Sequence, residues 1–283
     1  MKPESASSYC LERVRRHDYA RYLTTLFSPP EQRELLWALY AWNLEVAKTA
    51  ETVSEATLGE IRLQWWREGL EGLWQGNTRS HPVLEVLEGG RDRLARTAES
   101  FERILEARSF DLDPQPPADL AELETYAEAT ASELLYIALA ALGEPPSEQE
   151  RQVARHVGIA WALTGLLRAV PFHARQKRLY LPEDHLTVAG VKRSDLFELR
   201  GSDQISGVVM RLAERAREHV EEARRHRGAI VRSRRGPLLL AGLSDLYLKA
   251  LERADYDPFA PSLARQEGKG VWKITWNAWR GRF

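Results

Sequence analysis

This sequence has little cysteine and almost no net charge. Cys10 is the single cysteine among 283 residues, so the chain can form neither an internal disulfide nor a thiolate metal cluster, which fits a reducing compartment. We expect Cys10 to be a structural thiol. The formal net charge of −1 lacks the basic excess that a dedicated nucleic-acid binder carries over a face, so we expect no nucleic-acid partner.

Long apolar runs are missing as well. No stretch approaches the roughly 18 apolar residues that cross a bilayer. The opening MKPESASSYC lacks the apolar core of a signal peptide, and it is too short and too poor in arginine for a mitochondrial transit peptide. We therefore expect a bacterial or already processed protein that is cytoplasmic, either fully soluble or in peripheral contact with the inner membrane.

Alternation of polar and apolar residues, which marks strands, is absent too, whereas helical periodicity runs almost throughout. The two most proline-rich breaks, 111–117 (DLDPQPP) and 143–146 (GEPP), are short enough to be turns between helices. No repeat or low-complexity tract separates two compositions. The sequence therefore predicts an all-α fold with one domain over residues 1–283.

The clearest helices are predicted at 30–53 and 55–74. The first begins near Pro30, a favoured first-turn residue, and the second has Ser54 as its predicted N-cap. The predicted buried stripe of the first helix is Leu35, Leu39, Trp42 and Val46. The predicted inward residues of the second are Ile61, Trp65, Leu70 and Leu73. Further helices are predicted at 82–88, 92–108, 118–142, 147–170, 204–232, 237–253 and 271–280.

Residues 158–182, GIAWALTGLLRAVPFHARQKRLYLP, are the most informative segment. Small side chains that end in an imidazole share one helix face, at Gly158, Ala162, Gly165, Ala169 and His173. Such a stripe indicates either close packing of another helix or the wall of a cavity. Pro171 lacks a backbone donor, so we expect the helix to kink or end near His173.

A basic cluster overlaps the end of this stripe. Such a cluster is typical of a solvated surface, although arginine forks at a helix end can also hold phosphate. The candidate residues for binding an anion or a diphosphate are Arg168, Arg175, Arg178 and Tyr180.

This segment resembles the second signature of the squalene and phytoene synthases, G-I-A-x-Q-L-T-N-I-L-R-D-V-x-x-D followed by A-R-x-x-R-x-Y-L-P. The residues kept in register are Gly158, Ile159, Ala160, Leu163, Thr164, Leu167, Arg168, Val170, Ala174, Arg175, Arg178, Tyr180, Leu181 and Pro182. The first signature, A-L-Y-A-x-C-R-x-x-D-x-x-x-D, resembles the chain from Ala38 onward. The resemblance extends from about Tyr9 to the C-terminus and implies the all-helical isoprenoid-synthase fold with a central cavity. The candidates for lining that cavity are Tyr40, Asn43, Ala47, Glu51, Ala162, Gly165, Ala169 and His173.

The departures from these signatures concern the metal site. In the family, two pairs of aspartates hold Mg²⁺ ions that bind and ionise a prenyl diphosphate, and Mg²⁺ needs oxygen ligands. The first pair falls here on Ala47 and Glu51, and the second on Ala169 and His173. We therefore predict no metal site, no catalytic residue and no cofactor. Mg²⁺ would be needed only by a prenyltransferase whose metal site is rebuilt from Glu51, His173 and Glu45, and Glu45 should face away from Ala47.

A resemblance to one branch of this family accounts both for the signature residues that match and for the aspartates that are missing. A branch of the family without the aspartate motifs, typified by the NADH dehydrogenase (complex I) assembly factor 6 proteins, is similar to this chain. The matching stretches include Tyr9-Cys10-Leu11-Glu12, Val53-Ser54-Glu55, Leu123-Glu124 and Arg168-Ala169. The resemblance implies a role in assembling respiratory complex I, with its subunits or assembly intermediates as partners and an isoprenoid or lipid as a ligand. For the eukaryotic relatives it implies the matrix side of the mitochondrial inner membrane.

Two further features bear on membrane contact. Trp272, Trp276 and Trp279 lie at i, i+4 and i+7 of the predicted last helix, beside basic residues. Such rings favour either a bilayer interface or a cap on the domain's own core. The arginines that could meet anionic lipid at the end of the helix predicted at 204–232 are Arg232, Arg234 and Arg235.

Three functions remain open from the sequence. The first is a non-catalytic assembly protein on an isoprenoid-synthase fold. The second is a prenyltransferase that condenses prenyl diphosphates head to head with an atypical metal site. The third is a lipid- or isoprenoid-binding module at the membrane surface.

Overall fold

A computed structural model describes residues 5–113 and 115–263 of the chain. The described part is built from helices and contains no strand, in agreement with the predicted all-α fold. The helices are α1 (Ala6–His17), α2 (Tyr19–Thr25), α3 (Arg33–Ala47), α4 (Thr49–Thr52), α5 (Ala56–Trp74), α6 (Pro82–Glu88), α7 (Arg91–Leu94), α8 (Ala98–Arg108), α9 (Leu120–Ala127), α10 (Glu133–Ala141), α11 (Glu148–Arg175), α12 (Glu183–Val188), α13 (Arg193–Phe197), α14 (Asp203–Arg225), α15 (Arg235–Leu238) and α16 (Leu240–Glu252). The predicted helix at 271–280, with Trp272, Trp276 and Trp279, lies outside the described residues.

Three clusters of buried apolar side chains hold these helices together. The first is enclosed by α1, α3, α5, α6, α8 and α10, and its largest members include Trp42 and Phe101, whose ring centroids are 4.7 Å apart. The second lies between α9, α11, α14 and α16, and the third joins α2, α10, α11 and α16. Each fully buried large side chain contributes about 1.5–3 kcal/mol of transfer free energy. Because α10 and α11 each belong to two clusters, they connect the N-terminal and C-terminal halves.

The predicted buried stripe of the first helix is confirmed, because Leu35, Leu39, Trp42 and Val46 are all buried. The predicted span of 30–53 is wrong, since α3 ends at Ala47 and a separate short helix, α4, follows it.

The predicted rotation of α5 is wrong as well. Ile61 and Trp65 were predicted to point inward, yet they are 60% and 37% exposed. Leu63 and Trp66 are buried in their place. The predicted N-cap Ser54 is also wrong, because α5 begins after Glu55 without a side-chain cap.

The long helix α11 crosses the centre of the fold. It begins with a capping box in which Ser147 and Glu150 satisfy each other's backbone N–H groups. Pro171 does not end the helix, which continues to Arg175, because only one backbone donor is lost. By length and composition α11 could cross a membrane, but half of its most apolar window is buried inside the fold. It packs against α10, α14 and α16, as the core helix of a globular protein does.

Candidate functional site

Arg178 brings the two signature segments together just after the end of α11. Its guanidinium donates from Nη1 to the carbonyl oxygen of Asp111 at 2.6 Å and from Nη2 to that of Ala50 at 3.3 Å. Ala50 belongs to α4, which follows the first-signature helix α3. One side chain therefore ties the end of the first signature to the end of the second.

Asp111 is the centre of a buried polar cluster beneath this contact. Its Oδ1 accepts hydrogen bonds from the hydroxyls of Tyr126 at 2.7 Å and Tyr180 at 2.8 Å. Its Oδ2 accepts one from Arg108 at 2.9 Å. Burial, followed by the charge of Asp111, raises the pKa of Tyr180, so this phenol stays protonated and donates. Tyr180 and Arg178, both candidates for anion binding, thus have protein groups as partners.

Sequence reasoning missed the Asp111 cluster. Asp111 opens the stretch DLDPQPP, whose prolines indicate a turn, and it lies in the 3₁₀ helix Ser109–Leu112. Arg108 lies only three residues away, but Tyr126 and Tyr180 come from α9 and from the chain after α11, and no local pattern indicates those contacts.

His173 faces the same cluster. Its ring centroid lies 4.6 Å from that of Tyr180. Burial lowers the pKa of His173 to about 4 in spite of the nearby Asp111 charge, so the imidazole is neutral at pH 7. The space beside it, between Leu167, Val170 and Leu212, has a volume of about 10 Å³, which is room for one water molecule at most.

The first-signature helix α3 presents a different environment. Tyr40 and Asn43 are buried, and the Tyr40 hydroxyl and Asn43 Oδ1 have no hydrogen-bond partner in the described part of the chain. One and two turns further on, Ala47 is partly exposed and Glu51 is exposed. The face that resembles a metal-binding face thus carries a methyl group and one solvated carboxylate.

Glu45 belongs to another side of α3. Its two carboxylate oxygens pair with Arg13 of α1 at 2.5 Å and with Arg62 of α5 at 2.8 Å. The carboxylate therefore holds three helices together, which agrees with the expectation that it faces away from Ala47.

The stripe of small residues on α11 has two different surroundings. A Cβ atom added at Gly158 would lie 2.4 Å from the Cα of Ser132, whereas one added at Gly165 would meet no atom within 4 Å beyond its own helix. Close helix packing therefore explains the start of the stripe, and open space lies over Gly165. Ala162 and Ala169 are partly exposed on the same helix.

A pocket of about 660 Å³ lies beside α11, between Trp161 and Arg168, which flank Gly165 by one helical turn on each side. We call it the basic pocket. Its lining includes Arg15, Arg16, His17, Leu23, Trp161, Arg168 and Tyr247. The guanidinium carbon of Arg168 sits 3.8 Å from the ring centroid of Tyr247, and Asp18 in the wall is neutralised by Arg21 at 2.5 Å. The pocket combines cations with aromatic and aliphatic surface, a chemistry suited to an anionic amphiphile.

The structure places the predicted anion-binding residues in three settings. Arg168 lines the basic pocket, and Arg178 and Tyr180 belong to the Asp111 cluster. Arg175 is exposed and donates to the carbonyl of Pro171 at 3.3 Å. Arg15, Arg16 and His17 were missed as site residues, because the last turn of a helix rich in arginine is indistinguishable from a solvated surface in one sequence.

The residues present do not fit a Mg²⁺ centre. Among the described residues, no three His, Cys, Asp or Glu side chains are placed to hold a metal ion. Ala47 and Ala169 offer no donor atom, and His173 offers a neutral nitrogen where a hard cation requires oxygen. No step through a bound metal ion can be derived from this donor set.

An all-helical bundle with a pocket beside its central helix and polar contacts joining two signature segments defines a protein of the isoprenoid-synthase fold. The described structure is similar to that of a dehydrosqualene synthase crystallised with a ligand, with a TM-score of 0.86 and 20% sequence identity over 97% of this chain and 95% of the other. The family model for squalene/phytoene synthase matches residues 14–280. The chain therefore belongs to the squalene/phytoene synthase family.

Relatives within the family carry two kinds of name. NADH dehydrogenase (ubiquinone) complex I, assembly factor 6 of Bos taurus is 34% identical over 276 residues, which cover 97% of this chain and 82% of that protein. A chloroplastic phytoene synthase of an Oncidium hybrid cultivar is 28% identical over 253 residues, covering 86% of this chain and 60% of that protein. The expected family and fold are confirmed by these similarities.

Proposed function

We propose that this chain is a non-catalytic member of the squalene/phytoene synthase family that acts in the assembly of respiratory complex I. Support comes from the relatives named complex I assembly factor 6, which are more similar to it than the phytoene synthases. Its partners would be complex I subunits or assembly intermediates. We place it in the bacterial cytoplasm, in peripheral contact with the inner membrane.

The observation that carries the non-catalytic part of the proposal is the donor set at the signature positions. Ionising a diphosphate requires cations at its departing oxygens. Ala47 and Ala169 have no side-chain atom that can bind a cation. Glu51 is solvated, and its single carboxylate does not make the octahedral oxygen shell that Mg²⁺ requires. An alternative prenyltransferase would need Mg²⁺ ligands from elsewhere, and no such group exists among the described residues.

The ligand we propose is an isoprenoid or lipid with an anionic head, held in the basic pocket. Arg15, Arg16 and Arg168 supply charge without a metal ion, and guanidinium groups bind phosphate oxygens in pairs. Trp161 and Leu23 supply apolar wall for the chain of such a ligand. The same arginines would face the anionic leaflet during peripheral contact.

The arginines predicted at 232–235 contribute less to membrane contact. Arg234 is largely buried and binds both carboxylate oxygens of Glu150 at 3.0 Å, while Arg235 donates to the carbonyl of Ile230. Of the three arginines, Arg232 alone has an exposed side chain. The basic pocket is therefore the better candidate for contact with anionic lipid.

The proposal is tested by deleting the gene in its host and measuring mature complex I on native gels. We expect complex I to be lost and to be restored by the wild-type gene. The double variant Arg15→Ala/Arg168→Ala should restore it poorly. The control Arg175→Ala/Arg200→Ala, which removes two exposed arginines outside the pocket, should restore it fully. Normal complex I in the deletion strain would overturn the assembly role.

The enzymatic alternative is tested separately with purified protein. We expect no release of pyrophosphate from farnesyl or geranylgeranyl diphosphate in the presence of Mg²⁺, with a squalene/phytoene synthase as the positive control. Release of pyrophosphate together with a head-to-head product would establish the prenyltransferase and remove the non-catalytic assignment.

A further inference from the structure

Helix α5 is apolar on two faces, and one of these faces is open to solvent in the described part of the chain. Leu63 and Trp66 belong to the buried face. The other face carries Leu58, Ile61 and Trp65, which follow at i, i+3 and i+7 and are 47%, 60% and 37% exposed. We call these three side chains the α5 stripe. Because the outer face of a surface helix is ordinarily polar, packing of the fold does not explain the stripe.

The indole of Trp65 is held in place by its neighbours. Its ring centroid lies 5.0 Å from that of Trp66 and 5.5 Å from that of His81, both in edge contacts. The guanidinium carbon of Arg79 lies 5.8 Å from the centroid of the same indole. The stripe therefore presents a fixed tryptophan beside a cation, a combination that suits the boundary between lipid headgroups and acyl chains.

Two ion pairs connect the stripe to the helix that carries cations of the basic pocket. Arg62, which follows Ile61, binds one carboxylate oxygen of Glu45 at 2.8 Å, and Arg13 of α1 binds the other at 2.5 Å. Arg13 lies one helical turn before Arg16, which lines the basic pocket. The apolar stripe and the cations of the pocket therefore belong to adjoining surfaces.

The size of the stripe decides which kind of partner it fits. A stable protein interface takes about 20–30 residues a side and about 800 Å² from each partner, whereas the stripe consists of three side chains on one helix. A bilayer surface sets no such minimum, because each apolar side chain that enters it contributes through its own buried area.

We propose that the α5 stripe inserts into the surface of an anionic lipid bilayer and anchors the protein there. The stripe supplies the apolar contact, and the cations of the adjoining basic pocket supply attraction to the headgroups. The anchor fixes the orientation of the protein, with the pocket beside the bilayer that holds its ligand. This inference rests on the proposed membrane contact and not on the role in complex I assembly.

The first test is flotation of the purified full chain with vesicles of phosphatidylcholine and phosphatidylglycerol. We expect the wild type to float and Leu58→Ser/Ile61→Ser/Trp65→Ser to bind at least tenfold more weakly. The control Val188→Ser/Met210→Ser/Val231→Ser removes three other exposed apolar side chains and should bind as the wild type does. Thermal unfolding midpoints equal to that of the wild type show that the variants are folded, since all six positions are exposed.

The second test measures insertion directly with a polarity-sensitive dye on a new cysteine. The native thiol does not compete for the dye, because Cys10 is buried and burial raises its pKa to about 12. Dye on Ile61→Cys should shift its emission to the blue when vesicles are added. Dye on Val188→Cys, an exposed position on α12, should not shift.

Four outcomes would overturn the proposal. The first is a wild type that does not float, and the second is equal loss in both triple variants, which would assign binding to general surface hydrophobicity. The third is no blue shift at residue 61 together with a wild-type dimer that the stripe variant abolishes, because a second copy of the chain would then cover the stripe. The fourth is a stripe variant that floats as the wild type does.

The pocket variant Arg15→Ala/Arg168→Ala separates this inference from the proposed ligand site. If it alone loses flotation, the basic pocket makes the membrane contact and the stripe does not. If it floats fully while the stripe variant does not, the stripe is the anchor and the pocket is not a lipid contact.

Discussion

His156 and His219 meet nitrogen to nitrogen between α11 and α14. Their Nδ1 atoms are 2.9 Å apart, and His219 Nε2 lies 3.2 Å from a carboxylate oxygen of Glu124. Because the carboxylate can only accept, His219 donates from Nε2. One proton is then shared between the two Nδ1 atoms, so this contact excludes protonation of both rings.

This geometry predicts how stability depends on pH. Burial and the neighbouring His219 lower the pKa of His156 from 6.5 to about 4, and burial lowers that of His173 to about 4. Between pH 4 and pH 6.5 these two histidines bind protons in the unfolded chain but not in the folded protein. The free energy of unfolding therefore falls as the pH drops from about 6.5 to 4, and their contribution is fully present above about pH 6.5.

We expect the double variant His156→Gln/His173→Gln to lose part of this pH dependence. The measurement is urea denaturation at a series of pH values, and the control is His226→Gln, which changes an exposed histidine at the end of α14. Identical slopes of unfolding free energy against pH in all three proteins would contradict the assignment of buried neutral rings.

Helix α11 shows that one stripe of small residues can serve two purposes. Gly158 lets the helix approach the backbone of Ser132, within the π-helical turn Glu128–Ser132, and Gly165 leaves space beside the basic pocket. In sequence the two glycines are equivalent, since both lie on one face at helical spacing.

The two glycines should respond oppositely to the same substitution. Gly158→Ala forces a methyl group into backbone and should lower the free energy of unfolding by about 1–3 kcal/mol. Gly165→Ala meets open space and should raise it by up to about 1 kcal/mol through helix propensity. Chemical denaturation of both variants checks this, and a neutral Gly158→Ala would show that the close approach is absent.

Helix α5 shows that a periodic pattern can locate a helix without predicting which face is buried. Large apolar residues occur at 58, 61, 63, 65, 66, 70, 73 and 74, so several rotations of the helix bury a similar amount of apolar surface. The contact of Gly59 with Leu112 selects the rotation that buries Leu63 and Trp66. Such a contact joins residues far apart in sequence, and the local pattern therefore located the helix but could not orient it.

The signature residues predicted the fold and the helices that surround the candidate site. What they could not predict was the set of side chains that close it. Asp111 comes from a proline-rich connection, and Arg15 and Arg16 come from a helix whose arginines resemble a solvated face. Asp111 receives Tyr180 from after α11, and Arg15 and Arg16 share their pocket with Trp161, Arg168 and Tyr247. These contacts join residues too far apart in sequence for a local pattern to indicate.

The arginine contact between the two signatures also has a consequence for synthesis. Arg178 and the Ala50 carbonyl it binds are separated by 128 residues. At about 5–20 residues per second, the ribosome makes that stretch in roughly 6–26 s. During this interval the helix that carries Tyr40 and Asn43 has been made, but Arg178 has not. The contact between the two signatures therefore cannot form before residue 178 has been made, and chains that stop earlier lack it.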